Sequence, residues 1–99
     1  TILMCPDDYA ALGALTELEK MGLRIPEDIS VTGYDGINLS QVLRPKLTTY
    51  FQDSTGIGHQ SARKLVEEIE EKDSCTAEQI MISGKLLSGH SVKDLREEA

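Results

Sequence analysis

The chain has 99 residues, with 10 Lys and Arg against 17 Asp and Glu, so its formal net charge at pH 7 is −7. This length suits one small domain. No apolar run of about 18 residues is present to span a membrane, and the acidic charge argues against binding to phosphate backbones. The first residues lack the basic and apolar regions of a signal peptide. We therefore expect a cytoplasmic protein with no membrane partner.

The first half of the chain predicts a strand, a helix and a second strand. The apolar run 1–4 is typical of a buried strand. A helix over about 8–21 follows, with Asp7 or Asp8 at its N-cap. Residues 29–33 are rich in β-branched side chains, which predicts the second strand.

The second half predicts two strand regions around a longer helix. A short helix is expected near 40–43 and a strand over 47–51. A helix then begins near Asp53 or Ser54, with an apolar stripe formed by Ile57, Ala62, Leu65 and Ile69. Residues 80–82 and 86–87 predict one or two late strands.

The order of these elements predicts the fold class. Strand, helix, strand, strand, helix, strand is typical of an α/β layer fold with a mostly parallel sheet. A parallel sheet needs cover on both faces, and two helices cover about four strands only thinly. The pattern therefore indicates part of an α/β domain rather than a complete one.

The two cysteines and two histidines carry no metal-site or catalytic pattern. Cys5 and Cys75 are too far apart for a metal knuckle or a disulfide framework, so both are expected to be reduced thiols. His59 and His90 are isolated, which makes a metal site improbable. No nucleophile is paired with a base. We expect no catalytic residue, no cofactor and no enzyme activity.

Three stretches together resemble the effector-binding domain of the LacI/GalR family of bacterial transcriptional regulators. Residues 6–15, PDDYAALGAL, are similar to the family pattern (N)D-x-x-A-x-G-A-L. Residues 22–35, GLRIPEDISVTGYD, are similar to G-L-x-V-P-x-D-I-S-V-x-G-[FY]-D. Residues 45–52, PKLTTYFQ, are similar to P-x-L-T-T-[IV]-x-Q. The resemblance runs over about residues 1–92 in matching order and spacing.

The resemblance implies a partial Rossmann-like periplasmic-binding-protein type I fold. Residues 1–92 would form mostly its C-terminal lobe, and 93–99 a polar tail. In the family, a small-molecule effector of the sugar or nucleobase class closes two lobes and so changes DNA binding by a homodimer. The DNA-binding headpiece and the N-terminal lobe have no counterpart among these residues. The implied function is the ligand-sensing and dimerisation portion of a repressor that contacts DNA only through that absent headpiece.

Asp35 is the first candidate ligand-binding residue. It follows a predicted strand, and ligands of open α/β sheets bind beyond the carboxyl ends of strands. A carboxylate there accepts two hydrogen bonds from adjacent hydroxyls or from a nucleobase. The resemblance places a ligand-contacting acid at this position. The alternative is an ordinary turn formed by Asp35 and Gly36.

Asp7 is the second candidate. The resemblance places it where many members carry a ligand-contacting Asn. An ionised Asp only accepts hydrogen bonds, which favours ligands that present donors, such as polyols, or a cation. The alternative is that Asp7 or Asp8 merely caps the helix, and for Asp8 the capping role is preferred. Gln52 could line the cleft or simply face water, and the latter is expected.

Two other functions are weighed against a regulator. Gly36 follows Asp35 where periplasmic sugar-binding proteins of the same fold often carry Gly, which mildly favours a transport component. Residues 26–30 and 47–49 favour a regulator more strongly. An enzyme with a nucleotide-binding α/β fold needs a Gly-rich strand-to-helix turn, and residues 54–58 do not have its spacing.

Overall fold

A computed structural model describes residues 1–71, 73, 74 and 76–97, so the predicted thiol at Cys75 lies outside the described residues. The predicted order of strands and helices is confirmed. The elements are β1 (Ile2–Met4), α1 (Asp8–Lys20), β2 (Ser30–Thr32), α2 (Asn38–Val42), β3 (Thr49–Phe51), α3 (Ser54–Glu70), β4 (Lys85–Leu87) and a 3-10 turn (Leu95–Glu97).

The chain divides into two compact units. The first comprises Thr1–Gln52 with the residues from Lys85 onward, and the second comprises Asp53–Gly84. In the first unit, β1 pairs with β2 in parallel and β3 pairs with β4 antiparallel. Two isolated parallel bridges, Thr32 with Thr48 and Asp35 with Phe51, connect the two ladders. The predicted α/β class is confirmed, with an antiparallel strand beside the parallel ones.

The core of the first unit is small. Its buried apolar side chains are Ala11 and Leu15 from α1, Val31 from β2, and Leu47. The four-residue spacing on α1 places its two members on one face of that helix. The prediction of a buried first strand is wrong, because Ile2, Leu3 and Met4 of β1 are 49%, 40% and 76% exposed. This thin core agrees with the predicted incomplete cover of the sheet.

The second unit contains α3 and no strand among its described residues. Asp53 Oδ1 accepts a hydrogen bond from the Gly56 amide (3.0 Å), which confirms the predicted helix start. The predicted apolar stripe is not buried, since Leu65 is 59% and Ile69 is 67% exposed. Residues 80–82 are not a strand. A strand needs a hydrogen-bonding neighbour, and this unit offers none among its described residues.

The C-terminal segment begins with fixed contacts. The Lys93 amide donates to Ser30 Oγ (3.0 Å), which ties the predicted polar tail to β2 at its first residue. Ser91 is fully buried, and its hydroxyl donates to the Val31 carbonyl (2.6 Å) while it accepts from the Thr48 amide (2.9 Å). Ser91 therefore bridges two neighbouring strand segments.

None of the helices described is long and apolar enough to cross a membrane.

Candidate functional site

The carboxyl ends of the first three strands lie side by side. Asp7 follows β1 and Asp35 follows β2. The Asp8 amide donates to the Tyr34 carbonyl (3.0 Å), and the Asp35 amide donates to the Tyr50 carbonyl (3.0 Å). We call this end of the sheet the carboxyl edge. The structure therefore brings both predicted site residues to the same edge, where ligands of open α/β sheets bind.

Asp35 is held by its backbone, while its side chain has no hydrogen-bond partner among the described residues. Its φ is +96°, in the left-handed region that Asp tolerates better than most residues. Its amide bonds to Tyr50, and its carbonyl accepts from the Gln52 amide (3.0 Å). Within the described part of the chain, no hydrogen bond or ion pair engages its half-buried carboxylate. This carboxylate is free to accept donors from a ligand.

Gly36 is required by the backbone path beside Asp35. Its φ is +70°, and a Cβ added there would lie 2.7 Å from Phe51 Cα. Such a distance is closer than a side chain tolerates without movement of the backbone. The glycine that mildly favours a transport protein in the sequence therefore has a local structural cause.

Asp7 is the N-cap of α1. Its Oδ1 accepts a hydrogen bond from the Ala10 amide (2.7 Å), and its backbone is extended, as at most N-caps. The capping interpretation is thus confirmed for Asp7, and its ligand role stays a prediction.

Burial, and then the negative charge of Asp7, raise the pKa of the Cys5 thiol. This direction is opposite to the lowered pKa that is typical of reactive cysteines.

Asp8 does not have the predicted capping role. Its side chain is fully buried. Its Oδ1 accepts from the Thr49 hydroxyl (2.6 Å) and its Oδ2 from the Ile37 amide (2.9 Å). The sequence holds a signal for this placement, because Asp8 precedes Ala11 by three positions and Leu15 by seven. That spacing puts Asp8 on the core-facing side of α1.

Two tyrosines that the sequence analysis did not single out stack beside Asp35. The rings of Tyr34 and Tyr50 lie 5.8 Å apart between centroids, with 15° between their planes. Tyr34 is 40% and Tyr50 is 39% exposed. The Tyr34 hydroxyl donates to Gln52 Oε1 (3.4 Å), so Gln52 is half-buried and bonded rather than simply facing water. The pair adds an aromatic surface near the carboxyl edge.

Metal-binding residues do not cluster in the described residues. No group of three or more His, Cys, Asp or Glu side chains there is arranged to hold a metal ion. His59 and His90 are both exposed. The chemistry that the carboxyl edge offers is hydrogen bonding by carboxylates and contact with aromatic rings.

Comparison with known sequences identifies relatives over nearly the whole chain. Residues 1–92 match the family described as "Periplasmic binding protein-like domain". The HTH-type transcriptional repressor PurR of Haemophilus influenzae is 40% identical over 97 residues, which cover 96% of this chain and 29% of that protein. The chain thus spans less than a third of the length of the curated relatives it matches.

Solved structures give the same relationship. A LacI family transcriptional regulator from Enterococcus faecium with bound ribose has a TM-score of 0.85 at 32% identity, covering 93% of this chain and 34% of that one. The lac repressor dimer bound to operator and the anti-inducer ONPF has a TM-score of 0.81 at 30% identity, covering 93% and 32%. These relatives are transcriptional regulators and not enzymes. The chain belongs to the periplasmic binding protein-like domain family and matches a portion of the effector domain of LacI-family transcriptional regulators.

Proposed function

We propose that this chain is the ligand-sensing and dimerisation portion of a LacI-type cytoplasmic transcriptional regulator. Residues 1–92 would supply the C-terminal lobe of the effector domain, and 93–99 a polar tail. The observation that carries the proposal is Asp35, whose backbone is fixed by two hydrogen bonds at the carboxyl edge and whose carboxylate is not engaged by the described residues. A carboxylate in this position can accept hydrogen bonds from a ligand.

The chemistry of the edge favours a small molecule with several donors and one weakly polar face. Asp35 and Asp7 are both acceptors when ionised, which suits hydroxyl or N–H donors. Tyr34 and Tyr50 offer aromatic surface to a sugar ring or a planar base. The relative from Enterococcus faecium holds ribose. We therefore propose an effector of the sugar or nucleobase class, with no cofactor and no metal.

Control of DNA binding would follow from conformational coupling. An effector shifts an equilibrium between two lobe arrangements only if it binds one arrangement better than the other. This chain would supply one side of the cleft, and DNA would be contacted through a headpiece outside these residues.

We propose a homodimer, an assembly that the lac repressor adopts on its operator. Sedimentation equilibrium of the natural gene product should then give twice its chain mass.

Asp35→Asn tests the ligand-binding role. In the natural gene product, this change should weaken binding of D-ribose or adenine, measured by calorimetry, by about 10- to 100-fold, because a hydrogen bond to a charged acceptor contributes roughly 1.5–3 kcal/mol. Glu17→Gln on the exposed side of α1 is the matched control and should bind as the unmodified protein does. Equal affinity for the Asp35→Asn variant and the control with whichever probe binds, or no binding of either probe to the unmodified product, contradicts the proposal.

The mass and N-terminal sequence of the natural gene product distinguish the regulator from the transport protein. A longer product that begins with a basic helix-turn-helix supports the regulator. A mature product preceded by a cleaved apolar leader supports a periplasmic sugar-binding protein, in which Asp35 would serve uptake. The regulator is favoured because its relatives are repressors and because Gly36 has a local structural cause.

A further inference from the structure

Asp8 contacts the backbone on both sides of Asp35. Its amide donates to the carbonyl of Tyr34, the residue before Asp35 (3.0 Å). Its Oδ2 accepts from the amide of Ile37, two residues after Asp35 (2.9 Å). One residue therefore restrains both ends of the turn that presents the candidate ligand-binding carboxylate.

The Asp8 carboxylate is itself fixed by a third contact. Its Oδ1 accepts from the Thr49 hydroxyl (2.6 Å), and the pair is buried. Gly33 leaves the space for this arrangement, since a Cβ there would collide with Asp8 Oδ1. Hydrogen bonds in such a dry site are stronger than the same bonds in water. The carboxylate is thus a rigid support and not a mobile one.

The turn needs such a support. Asp35 and Gly36 have consecutive positive φ values, +96° and +70°. Residues other than glycine adopt this region rarely, and the surrounding structure must offset its cost even for Asp. Asp35 itself is bonded by its backbone to β3, and Asp8 adds the restraint at Ile37.

We propose that Asp8 is a positioning residue that sets the placement of Asp35 relative to Asp7. Asp7 precedes Asp8 in the chain and caps α1, the helix that begins at Asp8. Asp8 is therefore joined to Asp7 by the peptide bond and to the turn at Asp35 by hydrogen bonds. This inference rests on the proposed function for its biological meaning. A ligand with two donors at a fixed spacing would bind best when both carboxylates are held in this way.

The test measures amide exchange and backbone order in the turn in the absence of a ligand. In the ¹⁵N-labelled 99-residue chain, Asp8→Asn should let the Ile37 amide exchange with solvent about 10- to 100-fold faster, the range expected for a lost charged hydrogen bond. The heteronuclear NOE values of Asp35 and Gly36 should fall at the same time. Asp28→Asn is the matched control, because Asp28 also accepts a backbone amide bond, from Arg24 (2.8 Å), away from this turn. It should leave residues 35–37 unchanged.

A second pair of variants covers the case in which Asp8→Asn fails to fold. Thr49→Val removes the hydroxyl that fixes the carboxylate, and Thr49→Ser retains it. Exchange at Ile37 should increase in the valine variant and return to the unmodified rate in the serine variant. Unchanged exchange and NOE values at residues 35–37 in a folded Asp8→Asn or Thr49→Val chain overturn the inference. So does a rise in exchange spread evenly over the whole chain, which a purely stabilising role would give.

These readouts separate the inference from the proposed function. If Asp35→Asn leaves binding of D-ribose and adenine unchanged, the proposed ligand role of Asp35 fails. The exchange rate of the Ile37 amide still decides whether Asp8 positions the turn.

Discussion

Leu47→Ala is expected to lower the free energy of unfolding of the first unit by about 2–5 kcal/mol. Leu47 is fully buried and is the largest side chain of that core to be so. It packs in a core of four buried apolar residues, so few neighbours are available to fill the cavity left by truncation. The loss is a large share of the total stability of about 5–15 kcal/mol that is typical of domains.

Urea denaturation followed by tyrosine fluorescence measures this loss selectively. The chain has no Trp, and its three tyrosines, Tyr9, Tyr34 and Tyr50, all lie in the first unit. Leu86→Ala is the matched control, since Leu86 is 64% exposed in the same unit. It should change the free energy of unfolding by less than about 1 kcal/mol. Similar losses for the two variants would show that Leu47 is not the centre of the core.

Gly33→Ala is expected to destabilise the same unit by about 3 kcal/mol, by overpacking and by disturbing a buried hydrogen bond. The new Cβ would collide with Asp8 Oδ1 and lie 2.8 Å from Leu47 Cδ2. The Asp8 carboxylate cannot move away without weakening its bond to the Thr49 hydroxyl. A single methyl group therefore disturbs the apolar core and the buried polar contacts together.

Gly13→Ala provides the control for the same chemical change. Gly13 lies within α1, and nothing is found within 4 Å of a Cβ built there. Alanine in a helix interior is favoured over glycine by roughly 0.8–1 kcal/mol, so this variant should be more stable than the unmodified chain. The two substitutions should thus move the urea midpoint in opposite directions. A shift in the same direction for both would contradict the predicted collision at Gly33.

The elements set by local patterns were predictable from the sequence. The extent of α1, its cap near Asp7 and the start of α3 at Ser54 depend on residues within a few positions of one another. Residues 80–82 have the composition of a strand but do not form one. Strand formation depends on a partner at the right edge, and apolar composition alone carries no information about that partner.

The candidate site was predictable only in part. Asp35 is predicted from its place after a strand and from the family resemblance, whereas Asp7 is predicted from the resemblance alone. The stack of Tyr34 on Tyr50 and the bond from Thr49 to Asp8 join residues that are far apart in the chain. Such pairs depend on strand register, which short-range patterns do not specify. The helical spacing of Asp8 indicated its burial but not its partners.

The chain leaves the first unit beside the candidate ligand-binding residue. The chain leaves the first unit after Gln52 and re-enters it at Lys85, and Lys85 lies opposite Phe51 in the β3–β4 ladder. The chain therefore leaves and re-enters the first unit beside a single rung of that ladder, Phe51 opposite Lys85. The departing end is Gln52, whose amide bonds to the Asp35 carbonyl. The last residue of the first unit before that departure is therefore one hydrogen bond from the backbone of Asp35, the candidate ligand-binding residue.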